Sequence, residues 1–117
     1  MPKSDPAAER AANEWLKLID AGDARASWRA TATLFRKAVT EEQWTQSLAA
    51  ARSPLGAVVN RTLKHAESVT QLPGAPDGDY VVMQFDTQFE KKRAGVETVT
   101  PMLDTDGQWR VSGYFVR

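Results

Sequence analysis

The chain predicts an α+β domain: three N-terminal helices packed on one face of a curved, four-stranded antiparallel meander. Three observations carry that prediction. Apolar residues recur at three-and-four spacing through positions 6–53. From position 57 onward they alternate by twos instead, most cleanly over Tyr80 to Glu90. Turn formers punctuate this second half at Pro73-Gly74-Ala75-Pro76-Asp77-Gly78 and at Asp104-Thr105-Asp106-Gly107. A helical run followed by a strand run lets the helices cover only one side of the sheet. At 117 residues the chain is sized for one core, with residues 1–5 expected to be disordered.

The first helix is signalled by Asp5 as N-cap and Pro6 at the first helical position, where a missing N–H costs nothing. Its apolar stripe is Ala8, Ala12, Trp15, Leu16 and Ile19, and Gly22 is a natural stop. Asp23 then caps a second helix with Ala24, Trp28, Ala32 and Phe35 along one side, widened by Leu34 and Val39. Thr40-Glu41-Glu42-Gln43 matches a capping box that opens the third, which buries Trp44 and Leu48. Pro54 ends it, because a residue before proline avoids helical geometry.

Ala57 to Leu72 mixes Val58, Val59, Leu63 and Val69 with polar residues, a pattern that suits a long strand exposed on one side and tolerant of a bulge. In the next strand Val81, Met83, Phe85 and Phe89 share the core face, opposite Gln84, Asp86, Gln88 and Glu90. Lys91 to Gly95 reads as a charged hairpin tip, Val96 to Asp104 as the third strand and Gln108 to Arg117 as the fourth. Period-two counting puts Trp109, Val111, Gly113 and Phe115 on one face of that last strand and Tyr114 and Val116 on the other. A twisted sheet packed on helices at one side curls into a cone, and the expected ligand pocket lies between helices and concave face.

Composition excludes several functions. Fifteen basic residues balance fifteen acidic ones, so no net field draws the chain to nucleic acid or to an anionic membrane. Without cysteine there is no disulfide, thiolate nucleophile or zinc–thiolate site. No apolar run approaches the roughly 20 residues of a membrane span, and the polar start from Met1 to Arg10 lacks the apolar segment of a signal peptide. Met1 is therefore either a native start, with a cytoplasmic location, or the start left once an export signal is removed, with a location in the periplasm or envelope.

The segments Leu72 to Val82, Val96 to Leu103 and Asp106 to Tyr114, with Trp15-Leu16, Ile19-Asp20, Ser27-Trp28 and Glu42-Gln43-Trp44 before them, resemble a small bacterial family of unknown function. The likeness spans nearly the whole chain. It implies the nuclear-transport-factor-like, or cystatin-like, α+β fold, often in exported proteins, and it brings no activity, cofactor or catalytic residue. Enzymes, binding proteins and association modules share that fold.

The candidate pocket residues are Trp15, Trp28, Trp44, His65, Tyr80, Glu97 and Tyr114. The lone histidine, His65, shares a strand face with Glu67, as a general base and its partner could, although a surface histidine explains it more simply. Glu97 falls on the face of Val99, Pro101 and Leu103, where desolvation would poise it for acid–base work. The plainer account has it wet at a strand end or paired with Arg110 or Lys92. The three helix tryptophans form an aromatic wall or simply core. Asp77 with Asp79 and Asp104 with Asp106 are explained by turn chemistry, so neither a metal nor a cofactor is expected. The serines lie in no nucleophile elbow, and no glycine-rich loop carries a P-loop lysine.

The leading expectation is a non-enzymatic module that binds a small ligand or a protein partner. The alternative is a small cofactor-independent isomerase, dehydratase or hydrolase using Glu97 or His65 as base, with Tyr80 or Tyr114 as hydrogen-bond donor. A third expectation is a homodimer through the helix-free sheet face, thought to carry Val82, Tyr114 and Val116.

Overall fold

The computed structural model describes residues 5–117, so four of the five residues expected to be disordered lie outside it. Four helices precede four strands: α1 (Pro6–Asp20), α2 (Ala24–Arg29), α3 (Thr33–Ala38), α4 (Glu41–Arg52), then β1 (Val58–Val69), β2 (Tyr80–Phe89), β3 (Lys92–Leu103) and β4 (Trp109–Val116). A short 3₁₀ turn, Ser53–Leu55, links the two halves. The α+β class and the antiparallel meander, in the order β1-β2-β3-β4, are as the sequence predicts.

In α1 the Asp5 carboxylate accepts from the Ala7 backbone N–H, and all five expected stripe residues are buried. The capping box at Thr40 is present with both of its bonds. The second predicted helix, however, is two. It breaks at Thr31 and Ala32, where the backbone leaves helical geometry to bridge β4: Ala32 N–H donates to Val111 C=O at 2.8 Å. Ala32 has no side chain to cap α3, and Asp104 does so across the fold, accepting from Thr33 N–H and its hydroxyl. The break is a long-range contact overriding local helical periodicity.

The core lies between α1, α4 and the inner face of the sheet. It joins Ala8, Ala12, Trp15, Leu16, Ile19, Trp44 and Leu48 to Val81, Met83, Phe85, Val99 and Val111. The β2 face is as predicted, with Thr87 added to it. The hairpin tip is shorter than expected: the turn is Glu90 and Lys91, and Lys92 to Gly95 already belong to β3.

β4 corrects the face assignment. Val99 pairs with Tyr114 but Pro101 with Val111, so three steps of β4 match two of β3 and a bulge reverses the alternation. Tyr114 consequently turns to the core beside Val111, and Val116 sits opposite inward-facing Glu97. Phe115, expected inside, is 57% exposed on the outer face. Val82 stays on that outer face, whereas Tyr114 and Val116 do not belong to it.

Candidate functional site

Glu97 enters the protein from the second position after Ala94-Gly95 in β3, and it is 0% exposed. A buried carboxylate requires donors, and the fold brings them from three strands. Arg61 of β1 donates Nε to Oε1 at 2.7 Å and Nη2 to Oε2 at 3.1 Å, a bidentate pair. Thr87 of β2 donates its hydroxyl to Oε1 at 2.6 Å. Tyr114 of β4 donates its phenol to Oε2 at 2.5 Å.

Two helix C-termini close the group. Asp20, the last residue of α1, accepts two bonds from Arg61 at 2.8 and 3.0 Å. Arg52, the last residue of α4, reaches Asp20 at 3.3 Å and Glu97 at 3.9 Å while its guanidinium lies 5.0 Å from the Phe89 ring centre. Two carboxylates and two guanidiniums are thus held in a charge-balanced cluster. Burial on its own would lower the Arg61 pKa, but the bonds and charges of Asp20 and Glu97 outweigh it and the pKa rises. Burial pushes the Tyr114 phenol up, and the Glu97 charge pushes it further, so it remains a donor.

Neither sequence account of Glu97 holds. It is neither wet nor paired with Arg110 or Lys92, and it does not project into a cavity. The concave side is filled by aromatic rings: Tyr114 lies 5.4 Å from Trp15 and 6.5 Å from Trp44, and Trp44 meets Trp15 at 5.9 Å and Phe35 edge-on at 5.4 Å. Each helix tryptophan has its N–H satisfied inside the chain. Trp15 donates to Ser27 C=O, Trp44 to the Ser27 hydroxyl and Trp28 to Val39 C=O. These residues are core and fill the space beside Tyr114; between helices and sheet a shallow pocket of about 400 Å³ remains at α1 and β4, with Ala11, Glu14, Trp15, Leu18 and Trp109 in its lining.

The other candidates are scattered. His65 is exposed on the outer face, its Nε2 3.7 Å from Glu67, with the sheet between it and Glu97. Tyr80 is buried on the outer side, under the 70–79 loop, and donates its hydroxyl to Pro76 C=O. Arg110 pairs with Asp104 at 3.1 Å and with Asp106 at 2.8 Å. Among the described residues no group of acidic, histidine or cysteine side chains could hold a metal ion. No described helix is long and apolar enough to cross a membrane.

Sequence reasoning missed Asp20, Arg52 and Arg61. A signal for one of them was there: Arg61 sits two positions before Leu63, so the strand that buries Leu63 also turns a guanidinium inward. A shallow groove lies at the opposite end of the sheet, about 1140 Å³ in volume, with a lining that includes Asp5, Val69, Asp79, Tyr80, Leu103 and Trp109.

A family model of proteins of unknown function, DUF4019, matches residues 11–114, so the chain belongs to that family. Its backbone is similar to that of a protein from Shewanella frigidimarina NCIMB 400 described as a candidate ketosteroid isomerase. The TM-score is 0.60 at 17% identity, covering 97% of this chain and 96% of the other. At that identity the likeness shows the nuclear-transport-factor-like fold alone. No curated protein matches the sequence.

Proposed function

We propose that the protein is a non-enzymatic association module whose working surface is the outer, helix-free face of the sheet. The observation that supports this reading is Glu97. Among the described residues it is the carboxylate buried on the concave face, and its oxygens accept from Arg61, Thr87 and Tyr114 with no solvent exposure. A base must reach its substrate's proton, and this one is enclosed by donors and aromatic rings. Among the described residues, isomerase chemistry of the kind that the Shewanella protein's description suggests finds no accessible carboxylate on the concave face.

The outer face, by contrast, exposes Phe115 and carries half-buried Val82 and Met102 elsewhere on the same side. A photoreactive phenylalanine analogue at position 115, with one at exposed Lys17 as control, tests the reading in bacterial cells. Protein adducts specific to position 115 are the expected result. Adduct yield no higher than at position 17, together with a small molecule retained in native mass spectrometry, would overturn it.

A further inference from the structure

The fourth tryptophan differs from the other three. Trp15, Trp28 and Trp44 each donate the indole N–H inside the chain, whereas the Trp109 N–H has no partner among the described residues. Trp109 is half-buried, packed in part against the core, and it also lines the groove of about 1140 Å³ that crosses the strand ends. Val69 and Leu103 share that lining and give it apolar walls. Its charge is of one sign. Asp5 and Asp79 belong to the lining, no lysine, arginine or histidine among the described residues does, and neither carboxylate forms an ion pair with a described residue. The slot between α1 and β4 also lies against Trp109 and adds Glu14, likewise unpaired among the described residues. Arg110, the cation of that slot, is already held by Asp104 and Asp106.

The backbone around the groove is held from several directions. Leu103 N–H donates to Asp79 C=O at 2.9 Å, Gly78 N–H to Thr70 C=O at 3.0 Å, and Asp104 N–H to Gln108 C=O at 2.8 Å beside the start of β4. Asp5 is fixed by the bond its Oδ1 accepts from Ala7 N–H at 2.8 Å, which leaves Oδ2 available.

We propose that this groove binds a linear aliphatic polyamine. The proposal goes beyond the association reading and concerns a surface apart from Phe115. An ammonium group is attracted by a carboxylate and by an indole face alike, and the methylene chain between two ammonium groups is stabilised against apolar walls. One lining offers all three: carboxylates from the start of α1 and from the loop before β2, the Trp109 ring, and the side chains of Val69 and Leu103. An anion would meet two like charges, and a wholly apolar molecule would desolvate both carboxylates without pairing them. The groove is at the upper end of the size range of small-molecule sites, about 300–1,000 Å³. It is shallow, so each charge pair stays partly wet and binding should weaken as salt is added.

The Trp109 indole reports on the site directly. In nitrogen–proton correlation spectra, spermidine should shift that resonance and leave those of Trp15, Trp28 and Trp44 in place. Asp79→Asn, at an exposed position, and Asp5→Asn, which keeps the helix cap, should each weaken binding about threefold, and the double variant roughly tenfold. Unchanged resonances of the three helix tryptophans verify that each variant is folded. A Trp109 resonance unmoved by millimolar spermidine, a shift of equal affinity in the double variant, or the same shift from magnesium alone would overturn the proposal. A tetralysine peptide that bound more tightly than spermidine would overturn the small-molecule occupant. Photo-adducts at position 115 do not depend on either outcome, so the association reading and this site stand or fall separately.

Discussion

Both ends of the sheet are tied to the helices by aspartate or glutamate paired with arginine, and the two ties differ chiefly in how much water reaches them. At the end formed by the start of β3 and the end of β4, Glu97 is wholly enclosed and Arg61 nearly so, with Asp20 and Arg52 completing the group. At the other end Asp104 is buried, but Arg110 is partly open and Asp106 is half-exposed in the turn. Identical chemistry therefore carries different risk. Breaking an enclosed pair strands a charge in a poor solvent, whereas water replaces a lost partner at the surface.

The largest effect should come from Arg61→Met, which leaves Glu97 without its bidentate donor and should cost about 3–5 kcal/mol in denaturant unfolding. Adding Glu97→Leu should recover much of that loss, because an apolar pair leaves no charge behind. An Arg61→Met protein as stable as the wild type would erase the contrast between the ends.

Tyr114→Phe comes next, removing one bond to a charged acceptor, about 1.5–3 kcal/mol. It also carries a pH signature. The folded phenol keeps its proton well above the ordinary value of 10.0, while the unfolded chain releases it there. Stability from this source is therefore complete below pH 10 and declines as pH rises beyond it. The variant should lack that alkaline decline.

At the open end, Asp104→Ala removes the cap of α3 and one partner of Arg110, and should cost about 1–2 kcal/mol. Asp106→Asn should be the smallest change, a slight lowering of the denaturation midpoint at neutral pH, because water screens the exposed pair. The Arg110 guanidinium and the Gln108 N–H hold Asp106 down to about 2. Asp104 is also held below its ordinary range, since the bonds from Thr33, Thr105 and Arg110 outweigh the upward pull of burial. Both contributions are present above pH 3.8 and fade as pH falls through the folded values. Carboxyl chemical shifts across an acid titration check this directly.

Local signals made the architecture legible. The cap at Asp5, the capping box at Thr40 and the alternation through β2 each depend on residues a few positions apart, and each formed as read. What the sequence hid depends on distant partners. The helix break at Thr31 is set by Val111, and the cap of α3 comes from Asp104. The β4 bulge leaves only Gly113 as a local trace, yet it decides that Tyr114 reaches Glu97 and that Phe115 faces outward. Glu97 was found, but its partners Asp20, Arg52 and Arg61 come from three separate elements, and no spacing rule links them.

The order β1-β2-β3-β4 also bears on how the chain acquires its structure. Every strand pairs with its neighbour in sequence, and the connections at 90–91 and 104–108 are short, so the hairpins close at small entropic cost and in microseconds. The docking of α1 on β3 and β4 spans most of the chain and so carries the larger loop-closure cost. Until α1 arrives, Glu97 and Arg61 still hold their water. Folding must strip that hydration as the cluster closes, and the bonds from Arg61, Thr87 and Tyr114 take its place.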